Sequence, residues 1–152
     1  MVKKLLLVFP LLMIAKTVVA ERMGDKIVGL YYVVDEYSKE ESRIRIYRIN
    51  NGTYEGKVEW INKPYHKDGS LRLDVKNPIP ELRHVPCSQL VILTNLCYNS
   101  ETQTWENGVV YNPQDGKKYS AYMEFESDKK LRVRGYWGIS MLGRTMYWDK
   151  IE

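Results

Sequence analysis

Ala121-Tyr122-Met123-Glu124-Phe125-Glu126-Ser127-Asp128-Lys129-Lys130-Leu131-Arg132-Val133-Arg134 is the stretch that decides the fold. Ala121, Met123 and Phe125 alternate with Tyr122, Glu124 and Glu126. After the polar Ser127-Asp128, Leu131 and Val133 alternate with Arg132 and Arg134. A period of two puts the apolar set on one face of a strand and the charged set on the other. Two such runs across a short polar break form an antiparallel hairpin with one buried face.

The same grammar extends in both directions. Arg43-Ile44-Arg45-Ile46 alternates in the same way. Runs rich in β-branched and aromatic residues predict strands over Lys26–Val34, Arg43–Ile49, Tyr54–Ile61, Leu90–Tyr98, Thr104–Tyr111, Lys118–Phe125, Lys130–Tyr136 and Thr145–Ile151. Asn50-Asn51-Gly52 and Asn112-Pro113-Gln114-Asp115-Gly116 separate neighbouring runs. Asn-Gly and Asp-Gly supply the positive φ of tight turns. Strands joined in sequence by short turns make a meander. The expectation is an all-β fold: a single antiparallel up-and-down barrel of about eight strands, since closure removes exposed edges. A flat sandwich is the other arrangement compatible with these runs.

One segment departs from the rhythm. Residues 62–88 form a long connection with Pro64, Pro78, Pro80 and Pro86. Proline removes backbone donors and excludes a central strand, so this is a packed or functional loop. Pro80-Glu81-Leu82-Arg83 accommodates one helical turn at most.

The start of the chain reads as an export leader over residues 1–20. Lys3 and Lys4 precede an apolar run from Leu5 to Ala15, and Val18-Val19-Ala20 precedes a cleavage point before Glu21. The run is 11 residues long, short of the about 20 that a spanning helix needs. The expectation is therefore a single mature domain over 21–152, with no transmembrane span after cleavage. The leader holds three basic residues and no acidic ones, so the net charge of +4 falls to +1 on cleavage. That removes most of the case for a nucleic-acid partner. Cys87 and Cys97 could bridge in an oxidising compartment or remain two separate thiols.

Three stretches in order carry a family resemblance. They are Leu73-Asp74-Val75-Lys76-Asn77-Pro78-Ile79-Pro80-Glu81-Leu82-Arg83, Tyr111-Asn112-Pro113-Gln114-Asp115-Gly116-Lys117, and Leu131-Arg132-Val133-Arg134-Gly135-Tyr136. The last runs on into Gly138-Ile139-Ser140-Met141-Leu142-Gly143-Arg144-Thr145 and Trp148. Together they resemble the bacterial domain-of-unknown-function family 2147. That resemblance implies an exported protein of Gram-negative bacteria, periplasmic or secreted, with a lipocalin-like or streptavidin-like barrel and no established activity. Two departures stand out. Tyr31 occupies the place of tryptophan in the early Gly-x-Trp pattern of such barrels. Cys87-Ser88-Gln89 stands where the family more often has an aliphatic residue and a glycine.

Catalysis finds no support in the residue pattern, and the chain is expected not to be an enzyme. His66 and His84 are the two histidines, and neither stands beside a nucleophile or a spaced ligand set. No catalytic residue, metal or cofactor is expected. Asp74, Asn77 and Arg83 are candidates for a polar lock on the long loop, with Arg83 donating to Asp74 or to buried carbonyls. Arg144 is a candidate for a barrel lock through a cation–π contact with Tyr31, as lipocalin-like barrels often arrange near the last strand. The 12 Tyr, 4 Trp and 2 Phe supply bulky inward side chains. Tyr31, Trp60, Met123, Phe125, Val133 and Trp148 are the candidate ligand-binding residues, with plain core filling as the competing role. Two functions follow. One is an exported barrel taking a small, mainly apolar ligand into its mouth. The alternative is a non-enzymatic structural or interaction protein of the envelope with a filled barrel. Interior volume separates them. Ligand identity and oligomeric state are not legible in the sequence.

Overall fold

A computed structural model describes residues 22–138 and 143–152, together with residue 19. The rest of the expected leader, the cleavage point at Glu21 and residues 139–142 lie outside the described residues. The strands are β1 (Gly29–Val34), β2 (Glu41–Arg48), β3 (Tyr54–Ile61), β4 (Val91–Asn99), β5 (Thr104–Asn112), β6 (Lys117–Ser127), β7 (Lys130–Tyr136) and β8 (Arg144–Lys150). Each pairs antiparallel with its successor, and β8 pairs with β1, so the sheet closes into an eight-stranded barrel. The meander predicted from the turns is the observed order, and the flat sandwich is excluded.

Alternation set the faces correctly. Ile44, Ile46, Ala121, Met123, Leu131 and Val133 are buried inside the barrel. On β8, Met146 and Trp148 turn inward, whereas Tyr147 lies exposed with the Lys130 ammonium over its ring. The Asn50-Asn51-Gly52 turn closes with the Ile49 amide donating to the Thr53 carbonyl at 2.9 Å. Gly116 has φ +71°, and a Cβ there would collide with the Lys76 carbonyl of the long connection. That position needs glycine for both its backbone and its lack of a side chain.

The first strand starts later than expected. Lys26 and Ile27 belong to a single 3-10 turn, Asp25–Ile27, and β1 begins only at Gly29. This turn plugs one end of the barrel. Ile27 is fully buried among Tyr31, Tyr54, Leu96, Trp105 and Met123. Three aromatic polar atoms tie the plug down. The Tyr31 hydroxyl donates to the Ile27 carbonyl at 2.8 Å, the Trp105 indole to the Gly24 carbonyl at 3.0 Å, and the Tyr54 hydroxyl to Asp25 at 2.9 Å. This end is a packed floor.

The opposite end carries the 35–40 loop, the long connection, the 113–116 turn and residues 137, 138 and 143 beside β7 and β8. The connection has no long strand, only isolated bridges at Tyr65–Leu71 and Leu73–Pro86 and 3-10 turns at Pro80–Leu82 and Cys87–Gln89. No helix among the described residues is long and apolar enough to cross a membrane.

Candidate functional site

The barrel is packed at the floor and hollow above it. A cavity of about 550 Å³ opens at the loop end, within the range of pockets that enclose a small molecule. Its wall is aliphatic at depth: Ile44, Val58, Ile92, Val110, Val133 and Met146 line it, beside the Trp148 ring. Inward positions on successive strands create this wall, because every second residue of each strand projects to the barrel axis.

The mouth is polar and tightly paired. Arg144 Nη2 lies 3.2 Å from Asp35 Oδ2, and Arg72 Nη1 lies 3.0 Å from Glu40 Oε2. Arg72 also donates to the Lys63 carbonyl at 2.7 Å. Asp35 Oδ1 accepts the backbone amides of Tyr37 and Ser38, both at 2.9 Å. Partial burial by itself would raise the Asp35 carboxyl. The Ser38 amide, the Arg144 guanidinium and the Tyr37 amide outweigh it and hold the carboxyl below its ordinary value. Cys87 joins the same rim, and burial pushes its thiol up against the opposing pull of Arg72. Deeper in, the Trp148 indole N–H is buried without an acceptor, the single such side-chain atom among the described residues.

The structure brings Asp74, Asn77 and Arg83 together on the long connection. Asp74, fully buried, accepts the Tyr111 hydroxyl on one oxygen and the Asn77 amide on the other, both at 2.7 Å. Asn77 in turn accepts the Ile79 amide at 2.9 Å, and Arg83 Nε donates to the Asn77 carbonyl at 2.8 Å. Arg83 thus serves a carbonyl rather than Asp74. Burial, followed by the Asp74 hydrogen bond, raises the Tyr111 hydroxyl above its ordinary value. Tyr111 belongs to β5, so this chain of bonds fastens the loop to the barrel rim and places Arg72 and Cys87 over the cavity.

The six aromatic and aliphatic candidates divide. Val133 and Trp148 line the cavity. Tyr31, Met123 and Phe125 belong to the floor instead. Phe125 packs edge-on against Trp105 at 5.6 Å, with the Lys26 ammonium 4.9 Å above its ring. Period two identifies the inward face but not the height along the axis, and the N-terminal plug fills the lower half. Trp60 lies outside the barrel, 38% exposed beneath the Arg43 guanidinium. Arg43 pairs with Trp60 but Ile44 pairs with Val58, so Glu59 is an extra residue that shifts Trp60 to the outer face.

One further expectation is corrected, and one open alternative is decided. Arg144 does not reach Tyr31. It stacks on Tyr37 at 4.3 Å, while the Lys150 ammonium sits 5.9 Å from the Tyr31 ring. The reason is height again: Arg144 opens β8 at the mouth, and Lys150 ends it at the floor. Cys87 and Cys97 are both free thiols. Cys87 sits at the rim, and Cys97 lies near the far end of β4. At the rise of an extended strand the two are on the order of 20 Å apart, well beyond bridging distance. Sequence reasoning missed the rim charges Asp35, Glu40 and Arg72, which no local pattern marks. It had already turned Ile44 inward but had not assigned it to the cavity.

The geometry agrees with what this chain is similar to. A family model described as an uncharacterised protein conserved in bacteria, DUF2147, matches residues 29–150. Among solved structures, a Helicobacter pylori protein, HP1028, described as belonging to the lipocalin family, superposes with a TM-score of 0.68 at 23% identity, covering 83% of each chain. No curated protein matches.

Proposed function

The chain belongs to the bacterial family DUF2147, and from that premise we propose that it is an exported barrel that binds a small, mainly apolar molecule in its mouth. The observation that carries this reading is the cavity of about 550 Å³ with an aliphatic wall above a packed floor. Burying apolar surface there contributes about 25 cal/mol per Å² of ligand area removed from water. The lipocalin-like fold is compatible with such a ligand. Packing at the floor would suit the alternative, a filled envelope interaction protein, but the hollow upper half favours the binder. The protein is a carrier and not a catalyst on this reading, and it acts in the periplasm or the medium of a Gram-negative cell. The leader pattern of residues 1–20 supports that location.

The test is native mass spectrometry of the mature protein, with titration by the neutral fluorescent probe N-phenyl-1-naphthylamine. A co-purified small-molecule adduct, or saturable probe binding at one per chain, is the expected result. Neither an adduct nor saturable binding would sink the reading. N-terminal sequencing should begin at Glu21, and intact Met1 in a cytosolic fraction would remove the export part.

A further inference from the structure

The charge arrangement of the mouth restricts what the cavity can accept. Among the described residues of its wall, the charged ones are Asp35, Glu40, Arg72 and Arg144. Each guanidinium is matched by its own carboxylate at 3.0–3.2 Å. Asp35 is further pinned by two backbone amides, and Arg72 by the Lys63 carbonyl. An anionic head group would meet two carboxylates and no free cation. To reach a guanidinium it would have to compete with the carboxylate already bonded to it, and the two like charges would repel each other at the mouth. A cationic head faces the mirror-image obstacle. An uncharged hydroxyl or carbonyl needs only ordinary hydrogen bonds.

Resting on the binding function proposed above, we infer that the cavity selects neutral amphiphiles over fatty-acid-type anions, and that Asp35 and Glu40 set this specificity by occupying Arg144 and Arg72. The carboxylates act as an electrostatic filter: they stabilise the mouth and repel the competing ligand class. Removing one charge should convert the filter into a receptor, because the released guanidinium is already fixed at the rim and presents a planar donor set suited to a carboxylate.

The experiment compares 1-decanol with decanoate at pH 7.5, each displacing N-phenyl-1-naphthylamine, in the wild type, Asp35→Asn and Glu40→Gln. The wild type should prefer decanol by about tenfold or more, equivalent to about 1.4 kcal/mol. Either variant should raise the decanoate-to-decanol affinity ratio by about tenfold. The two variants are independent, so loss of folding in one leaves the other informative. A wild type that binds decanoate as well as decanol would overturn the inference and leave the binding function standing. An unchanged ratio in the folded variants would also overturn it. A wild type that binds neither the probe nor either ligand defeats both.

Discussion

Asp74→Ala should loosen the loop end of the barrel more than any other single change in the long connection. The side chain is fully buried and satisfies two donors, the Tyr111 hydroxyl and the Asn77 amide, each at 2.7 Å. Truncation leaves both without an acceptor in surroundings that admit little water. An unsatisfied buried polar group costs about 1–3 kcal/mol, so the expected destabilisation is about 2–6 kcal/mol. Tyr111→Phe removes one donor and should cost about 1–3 kcal/mol on the same basis. The two residues share one bond, so their effects should not add. A double-mutant cycle from urea melts should give a coupling of about 0.5–3 kcal/mol. Limited proteolysis should cut first within residues 62–88, because the connection loses its fastening to β5 before the barrel opens. Destabilisation below about 1 kcal/mol, or strict additivity of the two changes, would refute the lock.

Four other outcomes are expected. Phe125→Ala should destabilise by about 2–4 kcal/mol, since the ring is only partly buried, and leave probe affinity unaltered. Val133→Phe should abolish probe binding while costing little stability, because the added volume fills space above the floor; the reverse pattern in urea melts and probe titration would place the cavity wrongly. Arg144→Gln should cost about 1 kcal/mol or less at neutral pH. Asp35 is held below its ordinary value, so its contribution is complete above the unfolded Asp pKa near ~4 and lost as pH falls through the lower folded one. The stability gap between wild type and variant should therefore close in acid, and a gap that widens there would be incompatible with the Asp35 pair. Cys87 should react slowly with iodoacetamide at neutral pH, faster above the usual thiol range, and be shielded by a bound probe, whereas Cys97 should not be shielded; peptide mapping of the alkylated sites reads this directly.

The face of each strand was legible in the sequence, because the side-chain period of two is a local property of an extended chain. It turned Ile44, Met123 and Val133 inward without knowledge of any partner strand, whereas the face of Trp148 was left open against Tyr147. The turns were legible because Asn51-Gly52 and Asp115-Gly116 answer a local demand for positive φ. The polar lock was half legible: Asp74, Asn77 and Arg83 lie within ten residues of one another and bond largely among themselves, but Tyr111 comes from a distant strand. Height along the barrel axis was not legible. Floor and cavity residues share one alternation, and only the N-terminal plug, folding back onto Trp105 and Tyr54, divides them. The bulge that turns Trp60 outward arises from pairing between two strands, and no single strand carries it. The mouth's charge balance is likewise a tertiary product: Asp35 with Arg144 and Glu40 with Arg72 join residues far apart in the chain. Local stereochemistry determines which way a side chain points; which side chains meet depends on how the barrel closes.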